Sequence, residues 1–172
     1  MFKSSKAEEK LLPHLDAAYN LARWLLRNPQ DAEDALQDSF LRALRFFDQL
    51  KGEEAKPWLL KIVRNTCYDR LQKNSAPGRA DEFDEDVHSS EETEPNPETL
   101  LLLNADISRV RNALEALDVQ YREALVLREL EGQSYEEISR LLDVPIGTVM
   151  SRISRARTKI KKLLENEKAG DK

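Results

Sequence analysis

From Gly147 to Lys162 the chain carries Arg152, Arg155, Arg157, Lys159, Lys161 and Lys162, and no acid. Cations of this kind neutralise phosphates, and arginine can also read a base edge with two parallel hydrogen bonds. A second group, Lys56, Trp58, Lys61, Arg64, Asn65 and Tyr68, mixes bases with aromatic rings. That mixture suits single-stranded nucleic acid, whose unstacked bases lie against rings while cations hold the backbone. A third group has the opposite sign: Asp31, Glu33, Asp34, Gln37 and Asp38, followed by Ser39, Phe40 and Arg42. Acids in a first helical turn complement the helix dipole. This run extends past one turn, which suits docking to a basic protein partner and is wrong for DNA.

These groups need elements to position them. At 100° per residue, Val149, Ile153, Ala156, Ile160, Leu163 and Leu164 fall on one face of a helix that starts near Ile146. The opposite face carries Ser151, Ser154, Arg155, Thr158, Lys161 and Lys162, with Thr148 and Lys159 at its edge. Upstream, Ser134 and Glu137 form a Ser-x-x-Glu capping box, a short helix runs to about Leu142, and Asp143-Val144-Pro145 makes a turn. Two helices joined by a tight turn, the second basic, is the pattern of a helix-turn-helix. The N-terminal residues of its second helix reach base edges, so Thr148, Met150, Ser151, Ser154 and Arg155 are the expected readers. The distal Lys159, Lys161 and Lys162 are better placed for phosphates.

The cation-and-aromatic group sits on "WLLKIVRNTCYDRLQK", opened by Pro57 and expected to bury Leu59, Ile62, Val63 and Thr66. The acidic group sits on a helix expected to be capped by Asp31, with Ala32, Ala35, Leu36, Phe40, Ala43 and Phe47 inward. Before it, Leu11, Leu15, Ala18, Ala22 and Leu25 form one stripe. After residue 100, Leu103, Ile107, Val110, Leu114 and Leu117 form another, and Ala124, Leu125, Leu127 and Leu130 belong to the next helix. Residues 75–99 hold nine acids against the single base Arg79, with Pro77, Pro95 and Pro97. Such a segment buries too little apolar surface to offset its ordering entropy and is expected to be a flexible acidic linker. The fold class is therefore all-α: two small helical domains, 7–74 and 100–167, joined by that linker. The formal net charge of −5 conceals this segregation.

Catalysis finds no foothold. There is no Gly-rich phosphate loop, no Ser-His pair and no His/Cys metal spacing; His14 and His88 stand apart, and Cys67 is the sole cysteine. No cofactor or metal is expected. Nothing approaches the apolar length of a membrane span, and no signal-like segment opens the chain, so a cytoplasmic protein is expected. A stand-alone dimeric helix-turn-helix regulator, with residues 7–74 as a sensor or dimerisation module, is one reading these residues leave open.

"DAEDALQDSFLRALRFF" and "KPWLLKIVRNTCYDRLQK" resemble region 2 of the sigma-70 superfamily, and "LDVQYREALVLRELEGQSYEEISRLLDVPIGTVMSRISRARTKIKKLL" resembles region 4. With both in this order, the chain is similar to the extracytoplasmic-function sigma factors, which initiate transcription. The resemblance implies core RNA polymerase as partner, through its β′ clamp coiled coil and β flap, with Asp34, Gln37, Asp38 and Phe40 at the clamp. It implies promoter DNA, both as duplex and as melted non-template strand. Met150, Ser151, Ser154 and Arg155 would read the −35 element, with Thr148 near the backbone and Arg152, Lys159 and Lys162 as further DNA contacts. Lys56, Trp58, Lys61, Arg64, Asn65 and Tyr68 would open and hold the −10 element. An anti-sigma factor is a further implied partner. In this family the segment between the regions threads toward the polymerase active site, which would give the acids from Asp81 to Glu98 a channel to fill. Many relatives have a basic or polar residue where Met150 stands; there the physical alternative to a hydrogen bond is apolar contact with a thymine methyl.

Overall fold

The computed structural model of the chain describes residues 2–52, 54–74 and 100–170. The predicted acidic linker, 75–99, lies outside the described residues. Among those residues every regular element is helical: α1 (Phe2–Leu11), α2 (Leu15–Leu26), α3 (Pro29–Arg45), α4 (Ala55–Asn74), α5 (Leu100–Glu115), α6 (Val119–Leu125), α7 (Tyr135–Leu142) and α8 (Ile146–Gly170).

The first stripe is not one helix. Pro13 lacks an amide donor, and a 3₁₀ turn at Leu12–His14 separates α1 from α2. Leu11 is buried, while Leu15 is only half-buried. α2 buries Ala18, Leu21, Ala22 and Leu25 and ends at Arg27, whose φ of 60° places it in the left-handed region. The next start differs from expectation: Asn28, not Asp31, caps α3. Its Oδ1 accepts from the amides of Gln30 at 2.8 Å and Asp31 at 3.2 Å. Pro29 occupies the first turn, where its missing donor costs nothing.

The fully buried stripe of α3 is made of small residues, Ala32, Ala35, Ser39 and Ala43, with the Ser39 hydroxyl donating back to the Ala35 carbonyl at 2.6 Å. Small side chains let α2 and α4 approach α3 closely, and Leu36 and Phe40 close the edges. α4 inserts Leu59, Leu60, Val63, Thr66 and Cys67. Trp58 stacks edge-on against Phe47, with ring centroids 6.5 Å apart.

In the second unit, α5 buries Ala113 and Leu114, and Leu117 follows them inward. The predicted α5 stripe fails at Ile107 and Val110, which are 55% and 44% exposed. A π-type segment, Val126–Leu130, follows α6. Leu130, placed on this helix with Ala124, Leu125 and Leu127, is 56% exposed at the end of that segment. Gly132, at φ 66°, then reverses the chain.

The two units do not stand apart. α2 packs on α6, α4 packs on α7, and the buried apolar cluster runs without a break from Leu11 to Ala156.

Candidate nucleic-acid interface

The expected helix-turn-helix is present with its punctuation intact. Ser134 Oγ accepts from the Glu137 amide at 3.1 Å, and the Glu137 carboxylate accepts from the Ser134 amide at 3.2 Å. α7 buries Ile138, Leu141 and Leu142. It stops at Asp143, which adopts φ 59° and ψ 45°, a conformation that a short polar side chain tolerates best after glycine. The turn is tied by the Val144 amide to the Ser139 carbonyl at 3.1 Å and by Ser139 Oγ to the Val144 carbonyl at 2.5 Å. Pro145 then accepts from Thr148 and Val149 and starts α8.

α8 buries Val149, Ile153 and Ala156, which fixes its rotation. Met150, Ser154 and Arg155 face solvent, with Met150 50% exposed; Thr148, Ser151 and Arg152 are half-buried. Lys162 is exposed. Lys159 is exposed but held, its Nζ 4.4 Å from the Tyr121 ring centroid and 3.8 Å from the Asp118 carboxylate. Arg157 pairs with Glu129.

The acidic surface of α3 presents Asp34 and Gln37 freely, while Phe40 is half-buried against the core. Asp38 accepts from Arg70 at 2.5 Å. One residue on this surface escaped the sequence reading: Leu41, 64% exposed, one turn beyond Gln37. Its signal was an apolar residue at a position the helical period turns outward.

The cation-and-aromatic face of α4 is where the structure departs most from expectation. Among the described residues, Asn65 alone of this group faces water with no hydrogen bond or ion pair. Lys56 donates to the Glu131 carbonyl at 3.1 Å, and Lys61 donates to the Arg140 carbonyl at 3.4 Å. Arg64 and Tyr68 both donate to the carboxylate of Glu123, which is fully buried, and the Arg64 guanidinium lies 4.3 Å over the Tyr68 ring. Burial pushes the Glu123 carboxyl above its ordinary range, while Arg64, Tyr68 and the more distant Arg152 pull against that rise. Burial also opposes the Arg64 charge, but Glu123 more than offsets this and holds the guanidinium above its ordinary value. For Tyr68, burial and the neighbouring Glu123 charge both push the hydroxyl up, so it is a donor at any ordinary pH.

Beside Glu123 stands Arg122, 1% exposed. Its Nε donates to the Trp24 carbonyl at 2.7 Å and its Nη1 to the Leu117 carbonyl at 2.7 Å, with longer contacts to Leu25 and Glu115. Burial pulls the guanidinium down to about 10, and Arg27 adds to the fall; it stays charged at neutral pH. Trp24 and Leu25 close the last turn of α2, where unpaired carbonyls and the helix dipole attract a cation. Sequence reasoning missed both residues. The trace they leave is two adjacent charges inside the apolar stretch "YREALVL".

The chain matches two family models: "Sigma-70 region 2" over residues 12–76 and "Sigma-70, region 4" over residues 107–160. It is 38% identical over 139 residues to the ECF RNA polymerase sigma-E factor of Salmonella typhimurium, covering 76% of this chain and 72% of that protein. It is 35% identical over 160 residues to the ECF RNA polymerase sigma factor SigE of Mycolicibacterium smegmatis, covering 91% of this chain but spanning only 61% of that protein's length. Among solved structures it resembles the sigma factor RpoE of Bartonella quintana, crystallised with the anti-sigma factor NepR. That likeness has a TM-score of 0.71 and 31% identity, over 92% of this chain and 96% of the other. CnrH, solved with the cytosolic domain of CnrY, shares the fold at a TM-score of 0.65 and 23% identity, over 96% of each chain.

Proposed function

The chain belongs to the sigma-70 family as an extracytoplasmic-function sigma factor, and from that premise we propose that it binds core RNA polymerase and directs it to specific promoters. In this reading residues 7–74 are the region 2 domain, 100–167 the region 4 domain, and 75–99 the acidic tether. α8 enters the major groove of the −35 element. Met150, Ser151, Ser154 and Arg155 meet base edges there, and Thr148, Arg152, Lys159 and Lys162 meet the backbone. α4 takes the melted −10 strand with Lys56, Trp58, Lys61, Arg64, Asn65 and Tyr68. Asp34, Gln37, Asp38 and Phe40 of α3 dock on the β′ clamp coiled coil, and the region 4 domain meets the β flap. An anti-sigma factor is the regulator, a partner supported by the similar sigma factor RpoE, crystallised with the anti-sigma factor NepR. The chain itself carries out no chemistry and works in the cytoplasm; the polymerase is the catalyst.

One observation carries the reading. A capped helix-turn-helix whose second helix bears no acid from Ile146 to Leu164 shares a chain with a separate helix of cations and aromatic rings. A duplex reader and a strand binder on one molecule suit an initiation factor. A dimeric operator-binding regulator has no use for the second. The test is gel filtration with bacterial core polymerase. The chain should co-elute with core, and Asp34→Lys with Gln37→Lys should abolish co-elution. A homodimer that ignores core and binds duplex DNA alone would establish the regulator instead.

A further inference from the structure

α8 changes character along its length. Its first charged side chain is Arg152, and the residues before it, from Ile146 to Ser151, carry no charge. Ile146 and Met150, one turn apart on the same flank, are 40% and 50% exposed. Gly147 adjoins both on the helix surface, and a Cβ added there would meet nothing within 4 Å. Its φ lies outside the left-handed region, where only Gly52 and Gly132 stand among the described glycines. Neither packing nor backbone conformation therefore calls for glycine here, the poorest helix former apart from proline. A lone exposed apolar side chain is ordinary on a protein surface. Two of them in register beside a bare glycine make a continuous apolar pad, and it lies at the tip of the duplex-reading helix.

The major groove presents a single hydrocarbon group, the C5-methyl of thymine. We propose that Ile146 and Met150 read two thymine methyls in the −35 element, a specificity that rests on taking α8 as its reader. Four residues advance the helix by about 6 Å, and base pairs stack about 3.4 Å apart. The two side chains therefore span two base steps, so the element holds two thymines within that distance, on either strand. Gly147 leaves the space between them open, which lets base edges approach the helix backbone. Cytosine is rejected at these positions because its amino group would lose water against the pad and gain no acceptor. Ser154 and Arg155, on the next turn, supply hydrogen bonds to neighbouring pairs, so the helix reads hydrocarbon at its tip and polar edges beyond it.

The test uses the full chain assembled with bacterial core polymerase and a pool of duplexes randomised across the −35 and −10 windows. Bound duplexes should be enriched for two thymines within two steps of each other in the −35 window. Replacing one of these thymines by deoxyuridine removes its methyl and leaves every hydrogen bond in place. Affinity of the wild-type holoenzyme should fall about fourfold per methyl, the factor that one buried methyl group carries. Met150→Gln should abolish the response to deoxyuridine at one thymine, and Ile146→Thr at the other; both positions are exposed, so the core of α8 is untouched. Enrichment without the thymine pair, or deoxyuridine without effect on the wild type, overturns the proposal. An equal deoxyuridine effect in the wild type and both variants also overturns it, since the methyls would then be read elsewhere. A chain that neither joins core polymerase nor enriches any sequence overturns the initiation-factor reading itself, an outcome distinct from loss of the methyl effect alone.

Discussion

Arg122 and Trp24 lie 98 positions apart in the chain, yet Arg122 Nε donates to the Trp24 carbonyl at 2.7 Å. The same guanidinium reaches the Leu117 carbonyl at 2.7 Å. One side chain therefore closes the end of α2 and the junction before α6, and it does so with less than a fiftieth of its surface in water. Together with Glu123 it makes the contact between the domains polar at its centre and apolar around.

Removing that guanidinium should cost the most of any single change outside the apolar core. Arg122→Met keeps length and bulk but strands buried carbonyls on both domains, a loss of about 3 kcal/mol. Guanidinium chloride titration followed by circular dichroism should show a lower midpoint, with the transition resolving toward two steps. Arg122→Lys should not restore it, because an ammonium lacks the planar fork that serves carbonyls on two sides. An unchanged midpoint would show that these bonds do not form in solution.

The capping box gives a smaller and cleaner effect. Ser134→Ala should lower stability by about 1 kcal/mol in urea titration, and Ser134→Asp should recover most of it. The helix-turn-helix depends on α7 starting where it does, so duplex affinity should follow stability in this pair.

The basic residues of α8 are unequal, and salt separates them. Lys162 is free to reach a phosphate, so Lys162→Ala should reduce the salt dependence of duplex binding by about one unit of slope. Lys159 is already committed to Tyr121 and Asp118, so Lys159→Ala should change the slope by less. Equal slopes for the two variants would contradict the assignment.

Cys67 supplies a probe of the region 2 core. It is fully buried, and burial, outweighing nearby Arg70, pushes its thiol from an ordinary 9.0 up to about 12. An unfolded thiol releases its proton first, so the native state loses stability as pH rises from 9 toward 12. That loss is about 1.4 kcal/mol per pH unit within the window. Wild-type stability should therefore fall more steeply than that of Cys67→Ala between pH 8 and pH 10. A thiol-specific reagent should react stoichiometrically only in denaturant. Rapid reaction in native buffer would place Cys67 elsewhere.

The helices of each domain were legible because each buries one face at a helical period, and the capping box and the Asp143-Val144-Pro145 turn were legible because their chemistry is local. The reading failed wherever two distant segments decide the outcome. Asp31 looked like a cap because the chain breaks at "NPQD", but Asn28 sits one residue before Pro29 and reaches the free amides first. Leu130 continues the helix in sequence but stands exposed at the end of the π-type segment. Arg64 and Tyr68 looked like open binding groups because composition marks what a side chain can bind, not what already holds it. Their partner, Glu123, is 59 and 55 positions away, and no local pattern pairs them.

The most direct measurement is run-off transcription with bacterial core RNA polymerase on the DNA upstream of the chain's own gene, with and without the purified protein. Transcript should start only when the protein is present. Arg155→Ala should weaken it by about 1–3 kcal/mol of promoter binding, relieved by raising protein concentration. Trp58→Ala should leave promoter binding and lose strand opening, which permanganate reactivity of the −10 thymines would report. A protein that neither joins core polymerase nor yields a specific start on any promoter tested would contradict the account.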